Sequence, residues 1–123
     1  MKPVNLYALT RVCSAKHFSC FESVLSVRES TQDFKEHELN SLRSLVDQLI
    51  NAQMSISLMD GFFFSYRIPQ ISKEFDLLRI GEDSIINIEL KSGAVPTERI
   101  EKQLTQNRYY LAHTKKRVYT FCY

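Results

Sequence analysis

The sequence predicts an α/β fold, a mixed sheet flanked by helices, and three observations carry that expectation. Between Phe34 and Gln53 the apolar residues fall at Leu39, Leu42, Leu45, Val46, Leu49 and Ile50. Spacing of three and four gives one apolar helical face. From Phe62 to Ser92, runs rich in β-branched and aromatic residues alternate with short turn signals, the pattern of adjacent strands. A second helical pattern then precedes a last strand at Val118–Tyr123.

The elements follow in order. Val4 to Val27 shows no single period; short helices are expected at Ala8–Arg11 and at Cys20–Val27, the latter with Phe21, Val24 and Leu25 inward. Ser30-Thr31-Gln32-Asp33 is a polar break that offers N-caps to the long helix. Ser55–Met59 reads as a strand, turned by Asp60-Gly61 into Phe62–Ile68. Pro69 ends that run or marks an edge. Glu74–Ile80 and Ile85–Ser92, joined by Gly81-Glu82-Asp83-Ser84, read as an antiparallel hairpin. Gly93–Pro96 is loop. Thr97 is placed to cap a helix running to about Ala112, with Glu98 and Glu101 near its positive end. A single domain over 1–123 is expected, with 1–33 an N-terminal extension and 34–123 the core.

Bulk properties restrict the function classes. A chain of 123 residues with a formal charge of +2 is not an overtly cationic nucleic-acid binder. Its basic residues are nevertheless grouped: Lys102, Arg108, Lys115, Lys116 and Arg117 form either a solvated turn region or a contact surface for nucleic acid. Cys13, Cys20 and Cys122 have no CxxC spacing, and Cys13-His17-Cys20 lacks a fourth ligand. His17, His37 and His113 show no metal spacing. Ordinary cysteines of a reducing, cytoplasmic protein are expected. No signal peptide is read at Met1–Thr10, and no run approaches the roughly 20 apolar residues of a membrane span. The chain stops inside its last strand, so it is expected to be the N-terminal domain of a longer protein, or a piece of one.

The chemistry centres on the hairpin. Strand alternation puts Asn87, Glu89 and Lys91 on one face and Ile86, Ile88 and Leu90 on the other, with the isoleucine face expected to be buried. Asp76 is early in one strand and Glu89 late in the next, so an antiparallel pair returns them to each other. Two close carboxylates repel unless one is protonated or a cation lies between them. Mg²⁺, or Mn²⁺, suits such a site, with Asp76, Glu89 and the Leu90 carbonyl as oxygen donors. Lys91 would then orient a water or stabilise charge growing on a phosphate. The competing reading is a surface hairpin with an ordinary ion pair. On the following helix Gln103, Gln106, Asn107 and Tyr110 share a face. That face suits phosphate, base edges or the catalytic groups; otherwise it is a solvated polar stripe. Phe62-Phe63-Phe64 reads as strand core, and Tyr66 with Arg67 as a strand contact or an exposed edge.

With Asp76 in Lys73-Glu74-Phe75-Asp76-Leu77-Leu78, with Glu89-Leu90-Lys91, and with the helix Ile100–Tyr110, the chain resembles the PD-(D/E)xK nuclease superfamily. Gln106-Asn107-Arg108-Tyr109-Tyr110 also resembles the Gln-x-x-x-Tyr element of its exonuclease-like branches. The resemblance covers about two-thirds of the chain, and Phe75 stands where many members have proline. It implies a restriction-endonuclease-like core of helix, three-stranded meander, helix and strand. It also implies metal-dependent hydrolysis of phosphodiesters, with DNA preferred to RNA as substrate. Carried over, Asp76 and Glu89 are metal ligands, Lys91 the catalytic lysine, Gln103 or Gln106 the helix glutamine and Tyr110 its aromatic neighbour. A further carboxylate from the first helix falls on Glu38 or Glu36, with Glu22 behind them. Helicase or ATPase domains or partners are a further implication. The alternatives are a non-catalytic module that keeps the fold and binds nucleic acid or protein, and a purely structural domain.

Overall fold

The computed structural model describes residues 3–11 and 36–123, with side chains from 38 onward in the second stretch. The expected helix at Cys20–Val27, the Cys13-His17-Cys20 group and Glu22 lie outside the described residues. The chain divides into two compact units, Met1–Phe62 and Phe63–Tyr123.

In the first unit, helix α1 (Leu6–Thr10) is capped by Asn5, whose side-chain oxygen accepts from the Ala8 N–H at 3.1 Å. The Asn5 amide also donates to the Ile56 carbonyl at 2.9 Å and to Asp60. Helix α2 (Glu36–Asn51) buries Leu39, Leu42, Leu45 and Val46 of the predicted stripe and half-buries Leu49 and Ile50, with Leu6 and Leu9 of α1 also in the core. Its end is a Schellman turn: Met54 N–H bonds the Leu49 carbonyl, Gln53 N–H bonds that of Ile50, and Gln53 takes φ 62°.

The expected strand at Ser55–Met59 is a correction. Ile56–Met59 is a 3₁₀ turn. Val4 exchanges both backbone bonds with Phe62 (2.7 and 3.1 Å), so the pairing that a preceding strand would need there is taken by Val4.

The sheet is mixed, in the order β1 (Phe62–Ile68), β2 (Lys73–Ile80), β3 (Ser84–Glu89), β4 (Arg117–Cys122). β1 ends at Pro69, where a short 3₁₀ turn begins. β2 and β3 form the predicted antiparallel hairpin, and β4 runs parallel to β3. A parallel neighbour needs a crossover, and helix α3 (Thr97–Ala112) supplies it. Thr97 is the first helical residue rather than the cap: Pro96 holds the cap position, with its fixed φ and no side-chain bond. Leu78, Ile85 and Leu111 form the buried centre with Phe75, and Tyr110 and Val118 pack around it.

The hairpin's burial is inverted from expectation at Ile86 and Ile88, although Leu90 of the same face is buried as expected. Ile85, Asn87 and Glu89 are buried, at 0%, 0% and 1% exposure, whereas Ile86 and Ile88 are only half-buried. The reason is α3, whose side chains hydrogen-bond the Asn87–Glu89 face. Leu78 belongs to the same face through its register with Asn87. Leu78→Ala is expected to lose about 2–5 kcal/mol of unfolding free energy through the cavity it leaves, read as a lower urea midpoint. An unchanged midpoint would mean that this contact does not fix α3 to the sheet.

Candidate active site

Register sets the carboxylates opposite each other. Leu77 pairs with Ile88; continuing by one residue, Asp76 faces Glu89. The Leu90 N–H donates to Asp76 Oδ2 at 2.8 Å, which fixes the half-buried aspartate at the end of β3. The segment after Glu89 is held from the other side as well. Tyr123 N–H donates to the Glu89 carbonyl (2.8 Å), and Lys91 N–H to the Tyr123 carbonyl (2.7 Å).

Glu89 is held by three side-chain amides. Oε1 accepts from Asn87 at 2.9 Å and Asn107 at 2.8 Å, and Oε2 accepts from Gln103 at 2.7 Å. Asn87 also donates to the Leu77 carbonyl at 3.2 Å, and its Oδ1 accepts from Asn107 at 2.8 Å. The amides come from α3 because Gln103 and Asn107 are four apart and share a helical face. Asn107 Oδ1, by contrast, is a buried acceptor with no partner among the described residues, an open hydrogen-bonding position beside the carboxylate.

Burial raises the Glu89 carboxyl above its ordinary range, and the Asp76 charge adds to that; the Asn87 hydrogen bond, Lys91 and Lys73 pull the other way. Cys122 stands opposite Glu89 in the β3–β4 register, and burial pushes its thiol upward too.

The predicted residues divide clearly. Asp76, Glu89, Leu90 and Gln103 come together, with Lys91 close enough to act on the Glu89 charge. Between the two candidate glutamines it is Gln103 that touches Glu89; Gln106 is exposed on the cavity described below. Tyr110 packs into the core and edge-on to Tyr109, outside the amide network. Glu38 is half-buried on α2 of the first unit, whereas Asp76, Glu89 and Leu90 belong to the second. Arg108 bonds Thr120, and Lys116 bonds the Gly81 carbonyl at 2.6 Å. Lys115, in the loop after α3, and Arg117, the first residue of β4, are both exposed. Arg67 is paired with Glu74 at 2.8 Å and Tyr66 stacks edge-on with Phe63, so both serve the sheet. Asn107 was legible as part of a face suited to the catalytic groups, whereas Asn87 shared the Glu89 face without an assigned role; an asparagine between isoleucines on a buried strand was the available signal.

No family model matches the chain, and searches of curated proteins and of solved structures give no match. Among the described residues, no helix is long and apolar enough to cross a membrane.

The raised Glu89 carboxyl makes stability pH-dependent. The folded state favours the protonated form, so this contribution is complete below about pH 4.5, the ordinary value, and is lost as pH rises through the folded value. Asp76, Lys91 and Lys73 are the charged neighbours that set the window. Glu89→Gln removes that titration. Its carbonyl can keep the Asn87 and Asn107 donors, and Gln103 can turn its own oxygen to the new amide. Urea midpoints measured in EDTA across pH are expected to fall less steeply for Glu89→Gln than for wild type. Superimposable profiles would count against a raised carboxyl.

Proposed function

We propose that the chain is a metal-dependent nuclease of the PD-(D/E)xK type, built on a restriction-endonuclease-like fold and hydrolysing phosphodiester bonds. The observation that carries this reading is the facing pair Asp76 and Glu89, on adjacent antiparallel strands, with Lys91 next along and Gln103 bonded to Glu89. DNA is proposed over RNA on the family resemblance alone.

The donor set suits a hard divalent cation. It consists of oxygens, and it contains two carboxylates whose mutual repulsion a cation would relieve. Asp76, Glu89 and the Leu90 carbonyl would hold Mg²⁺ or Mn²⁺. Among the described residues no third acidic, histidine or cysteine ligand joins them, a sparse set of the kind that leaves Mg²⁺ open to water and phosphate oxygens. When bound, such an ion supplies charge neutralisation at the phosphate and a more acidic water.

The protein's own groups do the rest. Asn87, Asn107 and Gln103 hold the Glu89 carboxylate in one orientation. Lys91 stabilises negative charge on the attacked phosphate or orients the incoming water. The water oxygen forms a bond to phosphorus as the bond to the 3′- or 5′-oxygen breaks. The water's proton is released, and the departing oxygen takes up a proton.

One observation favours the alternative, a non-catalytic module that retains the fold: Glu89 is already satisfied by three amides. Cleavage and calorimetry separate the two. For the nuclease, Mg²⁺ or Mn²⁺ supports cleavage of plasmid, single-stranded DNA or RNA, EDTA stops it, and Glu89→Ala abolishes it. Lys91→Ala should cost about 10²-fold or more in turnover while calorimetric metal binding persists. A folded wild type that neither binds the ion nor cuts any of these substrates would sink the nuclease.

A further inference from the structure

A cavity of about 480 Å³ opens beside the carboxylate pair, lined by Lys91, Val95, Arg99, Lys102, Gln103 and Gln106. Three of its six lining residues are cations, none is acidic, and two more carry amides. Among the described residues, neither Lys91, Arg99 nor Lys102 makes a salt bridge. Arg99, Lys102, Gln103 and Gln106 are spaced at i, i+3, i+4 and i+7, so one face of α3 forms the wall. Lys91 closes it from the loop. Two lining residues also belong to the site: Gln103 donates to Glu89, and Lys91 acts on its charge.

We propose that this cavity binds a phosphate of a single nucleic-acid strand, next along the chain from the phosphate that meets Asp76, Glu89 and Lys91. The inference rests on the nuclease reading for that neighbouring phosphate, and it names the substrate class as a strand rather than a lone phosphate ester. Like charges around a concavity repel one another, and an anion that enters relieves that repulsion. The Arg99 guanidinium presents the planar fork that matches two phosphate oxygens. Lys102 adds a point charge, and the exposed Gln106 offers donors to the same group or to a base edge. The basic run at Lys115–Arg117 lies beyond the other end of α3, which ends about 20 Å of helix past Arg99 and about 9 Å past Gln106.

The test is fluorescence anisotropy of a labelled single-stranded oligonucleotide in EDTA, over a salt series, with wild type and Arg99→Gln/Lys102→Gln. Both side chains are exposed, so the variant should keep its fold, checked by circular dichroism. The expected result is at least a tenfold rise in Kd. The log–log salt slope should shrink by about 1.4, roughly 0.7 for each cation removed from a single-strand contact. Equal affinity and equal slope would overturn the assignment. Binding of inorganic phosphate or a mononucleotide, without binding of the strand, would overturn the choice of a strand. The charge reversal Arg99→Glu/Lys102→Glu should abolish binding altogether; retained binding counts against the cavity. Cleavage is measured separately in Mn²⁺. Strand binding lost in the variant, with no cleavage by wild type, leaves the cavity standing and removes the nuclease. Cleavage by wild type with unchanged strand binding in the variant does the reverse.

Discussion

A carboxylate taken out of water is the constraint around which the second unit is arranged. Glu89 is 1% exposed, and an unpartnered charge there would be prohibitively costly. Three amides offset that cost, one from its own strand and two from α3. The crossover helix is therefore more than a connection between parallel strands. Its register against β3 must bring Gln103 and Asn107 to one side chain, and the apolar contacts of Leu111 with Leu78 and Ile85 hold that register.

Such an arrangement has two chemical meanings. Fixed amides can prepare a carboxylate to hold a cation in one orientation, or they can satisfy it so that it needs none. The nuclease proposed above takes the first meaning, with the facing Asp76 as its ground. A second carboxylate opposite the first raises its neighbour's affinity for protons, and a purely structural network gains nothing from that repulsion. A cation removes it.

The sequence revealed much of this architecture, for identifiable reasons. The extent of α3 and the pairing of the β2–β3 hairpin follow from period and turn residues alone, although β3 ends at Glu89 rather than Ser92 and so leaves Lys91 beyond the strand. Alternation correctly grouped Asn87 with Glu89, yet alternation says only which residues share a face. Which face is buried depends on the helix that arrives later in the chain, and polar character misled because two of the three amides that satisfy Glu89 are more than ten residues distant. Ser55–Met59 has strand-forming residues, but the pairing position at Phe62 belongs to Val4, a partner that local sequence cannot announce. Likewise, two glutamines on α3 were equivalent on paper. A rotation of about 300° between positions three apart decides that Gln103 meets Glu89 while Gln106 faces outward.

Gln103 is shared between two environments: its amide holds Glu89, and its side chain also lines the cationic cavity. An anion that draws this amide toward itself takes a donor from the carboxylate and makes Glu89 more basic. By thermodynamic reciprocity, protonating Glu89 loosens its hold on Gln103 and frees the amide for the anion. With the proposed anion in the cavity, a single side chain would couple that occupancy to the proton affinity of the buried acid.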